Sequence, residues 1–279
     1  MTKEGKCYII GRQFNYAAVM ELADVRDSKS RGSNTVSVRP RPAAPNAVGF
    51  CLPHFSMKLR KRDIFMKHPV YLFDFDGTLV DSMPTWAKQM TNILDKRGVS
   101  YPENIIEIIT PLGTIGCLEY FRNELRMVFE NEAVLSEMMA FALPAYRDEI
   151  PFKEGVQDYL KRMKAKGHKL CVLTASPHIT LDACLKRLGV FDSFERVWSC
   201  DDFNTTKANP EIYHMVADKL GVKIGDIAFF DDNINAIKTA KTAGTHTVGV
   251  FDETGRNFID KMKAEADIYL DSLKDAPEV

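Results

Sequence analysis

An apolar, β-prone segment, Val70–Phe73, runs directly into the sequence Asp74-Phe75-Asp76-Gly77-Thr78. This pattern predicts a buried strand that stops near Gly77, where a loop begins. The carboxylates of Asp74 and Asp76 are two residues apart, so they lie towards one side of the strand's end. Two like charges this close are unfavourable without a counter-charge, and Mg²⁺ prefers oxygen ligands of this type. The pair therefore suggests a metal-assisted site, with a plain turn after a strand as the alternative.

The chain after residue 150 alternates between strand and helix patterns, which predicts an α/β fold with a Rossmann-like parallel sheet. The predicted strands are 169–174, 197–199, 227–230, 247–250 and 268–270, and the predicted helices are 156–166, 177–188, 210–220 and 235–243. Ser176 before Pro177 has the residue types of a helix N-cap followed by a first helical residue. The sheet core is predicted to comprise residues 67–82 and 151–279.

Residues 83–150 lack a strand pattern but carry helical spacing, most clearly in 84–96 and 133–143. We interpret this segment as an all-helical insert that leaves the core near Asp81 and returns near Pro151. An insert at this position is predicted to close over the Asp74 and Asp76 carboxylates as a cap and to exclude water from them.

Residues 1–66 differ in composition from the rest, with 12 Lys and Arg against five Asp and Glu. A polar stretch without periodicity and a Pro-rich run predict a disordered extension. The segment also resembles the conceptual translation of a transfer-RNA gene, since Gly32-Ser33-Asn34 can be encoded by the T-loop sequence. A misassigned start, with Met57 or Met66 as the real one, is therefore a second interpretation. An organelle-targeting peptide is a third, although the acidic residues disfavour it.

Composition limits the classes of function. The net charge of -1 argues against nucleic acid as a partner of the whole chain, and no apolar run is long enough to predict a membrane span. The six cysteines are far apart, which predicts reduced, buried thiols in a cytoplasmic protein rather than a zinc site. The sequence gives no indication of an oligomeric state.

Polar side chains follow several predicted strands, and open α/β sheets bind ligands at this edge. Thr174 ends one strand ahead of a helix N-terminus, where a hydroxyl and free backbone amides form a natural phosphate cradle. Asp231 and Asp232 end another strand and could complete a metal site. Lys207, in the loop before the 210–220 helix, could neutralise a phosphate, although most loop lysines are simply solvated.

These residues form four motifs that resemble those of the haloacid dehalogenase superfamily, in the same order. The first is Asp74-Phe75-Asp76-Gly77-Thr78, and the second is Thr174-Ala175-Ser176. The third begins at Lys207 and continues through Ala208-Asn209-Pro210-Glu211-Ile212-Tyr213, and the fourth is Asp231-Asp232-Asn233. The resemblance extends over residues 70–273, and the position of the helical insert is similar to that in the C1-cap branch. That branch includes phosphoglycolate phosphatase and β-phosphoglucomutase.

The resemblance implies a Mg²⁺-dependent phosphatase that acts on a small phosphorylated metabolite. It implies that Asp74 is the nucleophile and a metal ligand, and that Asp76 is the general acid and base with its backbone carbonyl on the metal. Phosphate-binding roles are implied for three residues and metal-binding roles for two more. They are Thr174, the amide of Ala175 and Lys207 for phosphate, and Asp232 and Asp231 for the metal.

Two alternatives remain at this point. A phosphosugar mutase of the β-phosphoglucomutase type has the same fold, but it tends to carry a His soon after the first motif. The corresponding stretch, residues 80–86, has none, which favours hydrolysis. A non-catalytic binding or regulatory module would have no physical need to retain Asp74, Asp76, Lys207 and Asp232 together.

Overall fold

The computed structural model describes residues 68–276, and the prediction for residues 1–66 lies outside this range. Six parallel strands form one sheet in the order β3-β2-β1-β4-β5-β6. The parallel α/β fold predicted from the alternating pattern is confirmed. The strands are β1 (Val70–Phe73), β2 (Lys169–Thr174), β3 (Arg196–Ser199), β4 (Ile227–Asp231), β5 (His246–Val250) and β6 (Ile268–Leu270).

The central strand β1 is buried along its whole length, because helices cover both faces of the sheet. Alternate side chains of the strands enter two separate apolar clusters: Tyr71 and Phe73 belong to one, and Val70 and Leu72 to the other. The flanking helices are α5 (Val156–Ala165), α6 (His178–Arg187), α7 (Glu211–Leu220), α8 (Ile234–Ala243) and α9 (Ile259–Glu265).

The pairing register brings the ends of three strands together. Phe73 is opposite Val172 of β2 on one side and Phe230 of β4 on the other. The residues that follow these positions therefore emerge at one edge of the sheet, which is where the sequence places its acidic residues and Thr174.

Residues 81–150, which contain the predicted insert 83–150, fold as helices and connecting loops, and we call them the helical insert. An apolar cluster of its own, which includes Met90, Ile93, Phe121 and Val134, stabilises this segment. The helices are α1 (Met83–Asp95), α2 (Ile105–Ile109), α3 (Gly113–Asn123) and α4 (Asn131–Asp148).

The two connections of the insert to the core run side by side. The Asp81 N–H donates to the Pro151 carbonyl at 3.0 Å, and Val80 forms an isolated bridge with Phe152. Helix α4 packs against α6 of the core. The insert therefore enters and leaves the core at a single place, a few residues beyond Asp76.

Four cysteines, Cys117, Cys171, Cys184 and Cys200, are buried and carry free thiols. Burial raises the pKa of the Cys117 thiol to about 12, so it remains protonated and behaves as a small apolar group. Within residues 68–276, none of the helices combines the length and the apolar character that crossing a bilayer requires.

Candidate active site

Three carboxylates meet at the carboxyl edge of the sheet. Asp74 directly follows β1, and its backbone N–H donates to the Phe230 carbonyl at 2.8 Å, which places it beside β4. Asp231 is the last residue of β4, and Asp232 is the next residue in the chain. Asp74, Asp231 and Asp232 each offer an oxygen, and these oxygens lie within 4.8 Å of one another. The first and fourth sequence motifs thus form one cluster.

Lys207 joins this cluster from the loop before α7. Its Nζ lies 2.6 Å from Asp74 Oδ1 and 2.7 Å from Asp231 Oδ2, and its side chain is largely buried. The Tyr213 hydroxyl donates to the Lys207 carbonyl at 3.2 Å, which holds the loop against the first turns of α7. The interpretation of Lys207 as a solvated loop lysine is therefore wrong, since it pairs with two buried carboxylates.

The cluster is electrostatically unbalanced. Burial raises the pKa of Asp74 to about 7, Lys207 opposes the shift, and Asp231 and Asp76 add to it. Burial also raises the pKa of Asp232 well above its usual range, and the neighbouring carboxylates add to the shift. Burial by itself would lower the pKa of Lys207, but Asp231 and Asp74 raise it well above its ordinary value. Lys207 pairs with two of the three carboxylates, and Lys153 only partly opposes the pKa shift of Asp232, so a bound cation would relieve the excess negative charge.

The donor set fits Mg²⁺, which takes oxygen ligands and is commonly held by carboxylates. The backbone of Gly77 also fits the Asp232 carboxylate closely. A Cβ atom at residue 77 would lie 2.5 Å from Asp232 Oδ2, and the positive φ of +76° suits glycine. Thr78 donates its hydroxyl to Asp232 Oδ1 at 3.3 Å. Two residues of the first motif, Gly77 and Thr78, therefore contact the Asp232 carboxylate and fix its position.

Replacement of Gly77 by Ala is expected to weaken Mg²⁺ binding by about tenfold, because the added methyl group displaces the Asp232 carboxylate. The measurement is the increase in melting temperature as MgCl₂ is titrated into the metal-free protein. Gly98→Ala is the matched control, since Gly98 has a similar φ of +61° but no atom within 4 Å of the added Cβ. Equal Mg²⁺ dependence in the two variants would show that the contact with Asp232 is unimportant.

Asp76 lies outside the three-carboxylate cluster and is held by hydroxyl groups. Its Oδ1 accepts from Ser82 Oγ at 2.6 Å and from Tyr146 Oη at 2.5 Å, and its Oδ2 accepts from Ser176 Oγ at 2.5 Å. Burial and the adjacent Asp76 carboxylate raise the pKa of Tyr146 well above its usual value, so the phenol remains a donor. These hydrogen bonds determine the orientation of the Asp76 carboxyl group.

The role predicted for Ser176 as a helix N-cap is wrong. Helix α6 begins at His178, Pro177 occupies the N-cap position, and no side chain caps the helix. The Ser176 hydroxyl donates to Asp76 Oδ2 instead, because a hydrogen bond that a hydroxyl donates to a carboxylate is stronger than one it accepts from a backbone N–H.

Thr174 and Ala175 lie at the end of β2, on the same edge. Thr174 is buried, and its Oγ1 accepts the Ser176 N–H at 3.0 Å, whereas Ala175 is exposed. The Thr174 hydroxyl proton and the Ala175 amide are thus the groups of this motif that remain to contact a ligand. The residues singled out by the sequence thus lie at or next to the ends of three strands, except Lys207, which reaches the cluster from a loop.

His178 connects α6 to the 3₁₀ helix Cys200–Phe203, which leads to the Lys207 loop. Its Nδ1 lies 2.9 Å from Asp182 Oδ1 and its Nε2 lies 2.9 Å from Asp202 Oδ2. Partial burial would lower the pKa of His178, but the hydrogen bonds to Asp182 and Asp202 raise it above the ordinary value of 6.5. The folded protein therefore favours the imidazolium form more than the unfolded chain does.

The raised pKa of His178 predicts a pH-dependent contribution to stability. The contribution is fully present below pH 6.5, the unfolded value, and is lost as pH rises through the higher folded pKa. The side chain is 43% exposed, so the expected effect is below about 1 kcal/mol. Melting temperatures of wild type and His178→Gln should differ more at pH 6 than at pH 9. A difference that is independent of pH would contradict this interpretation.

A family model described as haloacid dehalogenase-like hydrolase matches residues 68–244. The chain belongs to this family. The resemblance to the superfamily drawn from the four motifs is thereby confirmed, and this hydrolase carries its helical insert between the first and second motifs.

Relatives of the hydrolase include enzymes named for their phosphatase activity. Hexitol phosphatase B of Escherichia coli K12 is 27% identical over 72% of this chain and 91% of its own length. Phosphoglycolate phosphatase of Colwellia psychrerythraea is 26% identical over 70% of this chain and 86% of its own. The crystal structure of CbbY from Rhodobacter sphaeroides in complex with phosphate has a TM-score of 0.63 at 22% identity, and covers 75% of this chain and 96% of that one.

The sequence did not reveal three groups that hold the motifs of the hydrolase in place. Ser82 and Tyr146 contact Asp76, and Lys153 donates to the Gly77 carbonyl at 2.6 Å and to Asp252 Oδ2 at 2.9 Å. A tyrosine near the end of an amphipathic helix and a lysine in the connection back to the core have no local signature. Only the tertiary fold brings them to the first motif.

Proposed function

We propose that this protein is a Mg²⁺-dependent phosphatase that hydrolyses a small phosphorylated metabolite through an aspartyl-phosphate intermediate. The observation that carries the proposal is the buried Asp74 carboxylate, which is paired with Lys207 and adjoins Asp231 and Asp232. This arrangement supports the proposal, because a nucleophile, a cationic group and metal-ligand oxygens would then share one cluster. The phosphatase names of the relatives support the same reaction class.

The metal would be held by Asp74, Asp232 and the backbone carbonyl of Asp76, with Asp231 as a further ligand or as a partner of Lys207. Bound Mg²⁺ supplies positive charge that offsets the repulsion between the Asp74 carboxylate and the phosphate oxygens. Asp231 also accepts the Asn233 N–H at 2.7 Å, which orients its carboxylate at the start of α8.

In the first half-reaction, an Asp74 carboxylate oxygen attacks phosphorus. The bond between phosphorus and the alcohol oxygen breaks, and that oxygen keeps the bonding pair and takes a proton from the Asp76 carboxyl group. Lys207, Thr174 Oγ1 and the Ala175 amide would bind the phosphate oxygens, while Lys207 also holds Asp74. The alcohol leaves, and the phosphoryl group remains on Asp74.

In the second half-reaction, the Asp76 carboxylate accepts a proton from water as the water oxygen attacks phosphorus. The bond between phosphorus and the Asp74 oxygen breaks, and its electron pair returns to the Asp74 carboxylate. Inorganic phosphate is released, and Asp76 is again protonated for the next cycle. One carboxyl group thus serves as acid and then as base.

We further propose that residues 83–150 act as a cap that selects the substrate. Contacts between the insert and the core support this assignment: Asn235 Nδ2 donates to the Pro111 carbonyl at 2.9 Å, and Asn257 Nδ2 donates to Glu107 Oε2 at 2.7 Å. Both contacts use exposed polar groups, which water can replace when a cap opens.

Phosphate release from a panel of phosphomonoesters, with and without Mg²⁺, tests the proposal. The panel includes phosphoglycolate, hexitol phosphates and sugar phosphates, the classes that the names of the relatives suggest. Release that requires Mg²⁺ is expected with at least one ester. Absence of release from every ester would contradict the proposal. Conversion of β-glucose 1-phosphate to its 6-phosphate would then indicate a mutase, and its absence would indicate a binding module.

A further inference from the structure

Three hydroxyl groups surround the Asp76 carboxyl group, and the two on Oδ1 come from opposite ends of the helical insert. Ser82 immediately precedes α1, and Tyr146 lies in the last turn of α4. Ser176, on Oδ2, belongs to the loop after β2. A carboxyl oxygen has two lone pairs, so Oδ1 has no remaining capacity for a proton of its own. Oδ2 accepts one hydrogen bond here and retains a lone pair.

Tyr146 is held rigidly enough to direct this hydrogen bond. Its side chain is buried, and its ring stacks on Phe75 at a centroid distance of 6.0 Å. Its backbone carbonyl accepts from Arg187 Nε of α6 at 3.4 Å, and the Arg187 guanidinium also donates to the Ile150 carbonyl. The position of the phenol oxygen is therefore fixed by contacts with Phe75 and Arg187 of the core as well as by α4. Removal of this hydroxyl would free a lone pair on Oδ1 without disturbing the ring.

We propose that Tyr146 is a positioning residue that confines the transferable proton of Asp76 to Oδ2. The proposal rests on the phosphatase function described above and adds to it a residue outside the four motifs. As the bond from phosphorus to the alcohol oxygen breaks, the proton moves from Oδ2 to that oxygen. Tyr146 keeps its own proton throughout and continues to donate to Oδ1. Without it, the proton is shared between both oxygens, and the productive arrangement is less populated.

The test compares Tyr146→Phe with wild type on two esters, glycerol phosphate and 4-nitrophenyl phosphate, in the presence of Mg²⁺. An alkoxide is a strong base and leaves only when it is protonated, whereas 4-nitrophenolate leaves without help. We expect kcat/KM for the alkyl ester to fall about tenfold through kcat, with KM nearly unchanged. For the aryl ester we expect a change of less than about twofold. The ratio kcat/KM is the proper measure because it reports the steps up to alcohol release.

Tyr159→Phe is the matched control. Tyr159 is fully buried, and its hydroxyl has no hydrogen-bond partner among residues 68–276, so the change removes a phenol oxygen but no contact with Asp76. This variant should leave both kcat/KM values unchanged. An equal loss with both esters, or no loss with the alkyl ester, would overturn the role of Tyr146. If wild type cleaves neither ester nor any member of the panel, the proposed function itself fails.

Discussion

Replacement of Asp74 by Asn is expected to reduce Mg²⁺-dependent phosphate release by at least about a thousandfold. The amide is nearly the same size as the carboxylate and can still accept a hydrogen bond from Lys207, but it cannot attack phosphorus. Release of inorganic phosphate from the best ester of the panel measures the effect. The melting temperature should not fall, because burial and the carboxylates of Asp231 and Asp76 already raise the pKa of Asp74 and disfavour its charge.

The control for this prediction is Asp148→Asn, the same chemical change at an exposed residue paired with Arg147. It should retain wild-type activity and stability. Asp74→Ala serves as a second variant, since Asn can deamidate back to Asp. Substantial activity in Asp74→Ala, with the fold intact, would exclude Asp74 as the nucleophile.

Replacement of Lys207 by Met is expected to lower the free energy of unfolding by about 3 kcal/mol in metal-free buffer. The change leaves two buried carboxylates, Asp74 and Asp231, without the ammonium group that now lies within 2.7 Å of each. Urea denaturation in the presence of a chelator measures the loss. Addition of Mg²⁺ should restore part of the stability, because the cation binds the same oxygens. Phosphate release should be lost in either case.

Lys274→Met provides the comparison for Lys207. Lys274 pairs with Glu154 at 2.9 Å, but both side chains are more than half exposed, so the expected loss is below about 1 kcal/mol. If the two variants lose the same stability, burial of the ion pair at the candidate site is not the reason for the effect.

Much of the fold could be predicted from local sequence patterns. The apolar run before Asp74 and the helix-strand alternation after residue 150 predicted a parallel sheet, because buried strands and amphipathic helices have distinct periods. The convergence of Asp74, Thr174 and Asp231 followed from the rule that ligands bind at the carboxyl edge of such sheets. Strand and helix boundaries were close to the observed ones.

Two of the contacts around Asp76 could not be predicted, since they join residues that are far apart in the chain. Tyr146 lies 70 positions from Asp76, and Ser176 lies 100 positions from it. For Ser176 the local pattern was misleading: a serine before a proline is typical of a helix N-cap, but its hydroxyl donates to the partly exposed Asp76 carboxylate in the folded protein. Local signals indicate which residues carry the chemistry, whereas the groups that orient them depend on tertiary structure.

Identification of the phosphorylated residue during turnover tests the central claim most directly. Wild-type enzyme and Mg²⁺ are mixed with the best ester of the panel, quenched in acid at short times, and reduced with borohydride. An acyl phosphate at Asp74 would be converted to homoserine, which mass spectrometry of the peptide detects. We predict homoserine at residue 74 in wild type and none in Asp74→Asn. A phosphoryl group on another residue during Mg²⁺-dependent turnover would contradict the account.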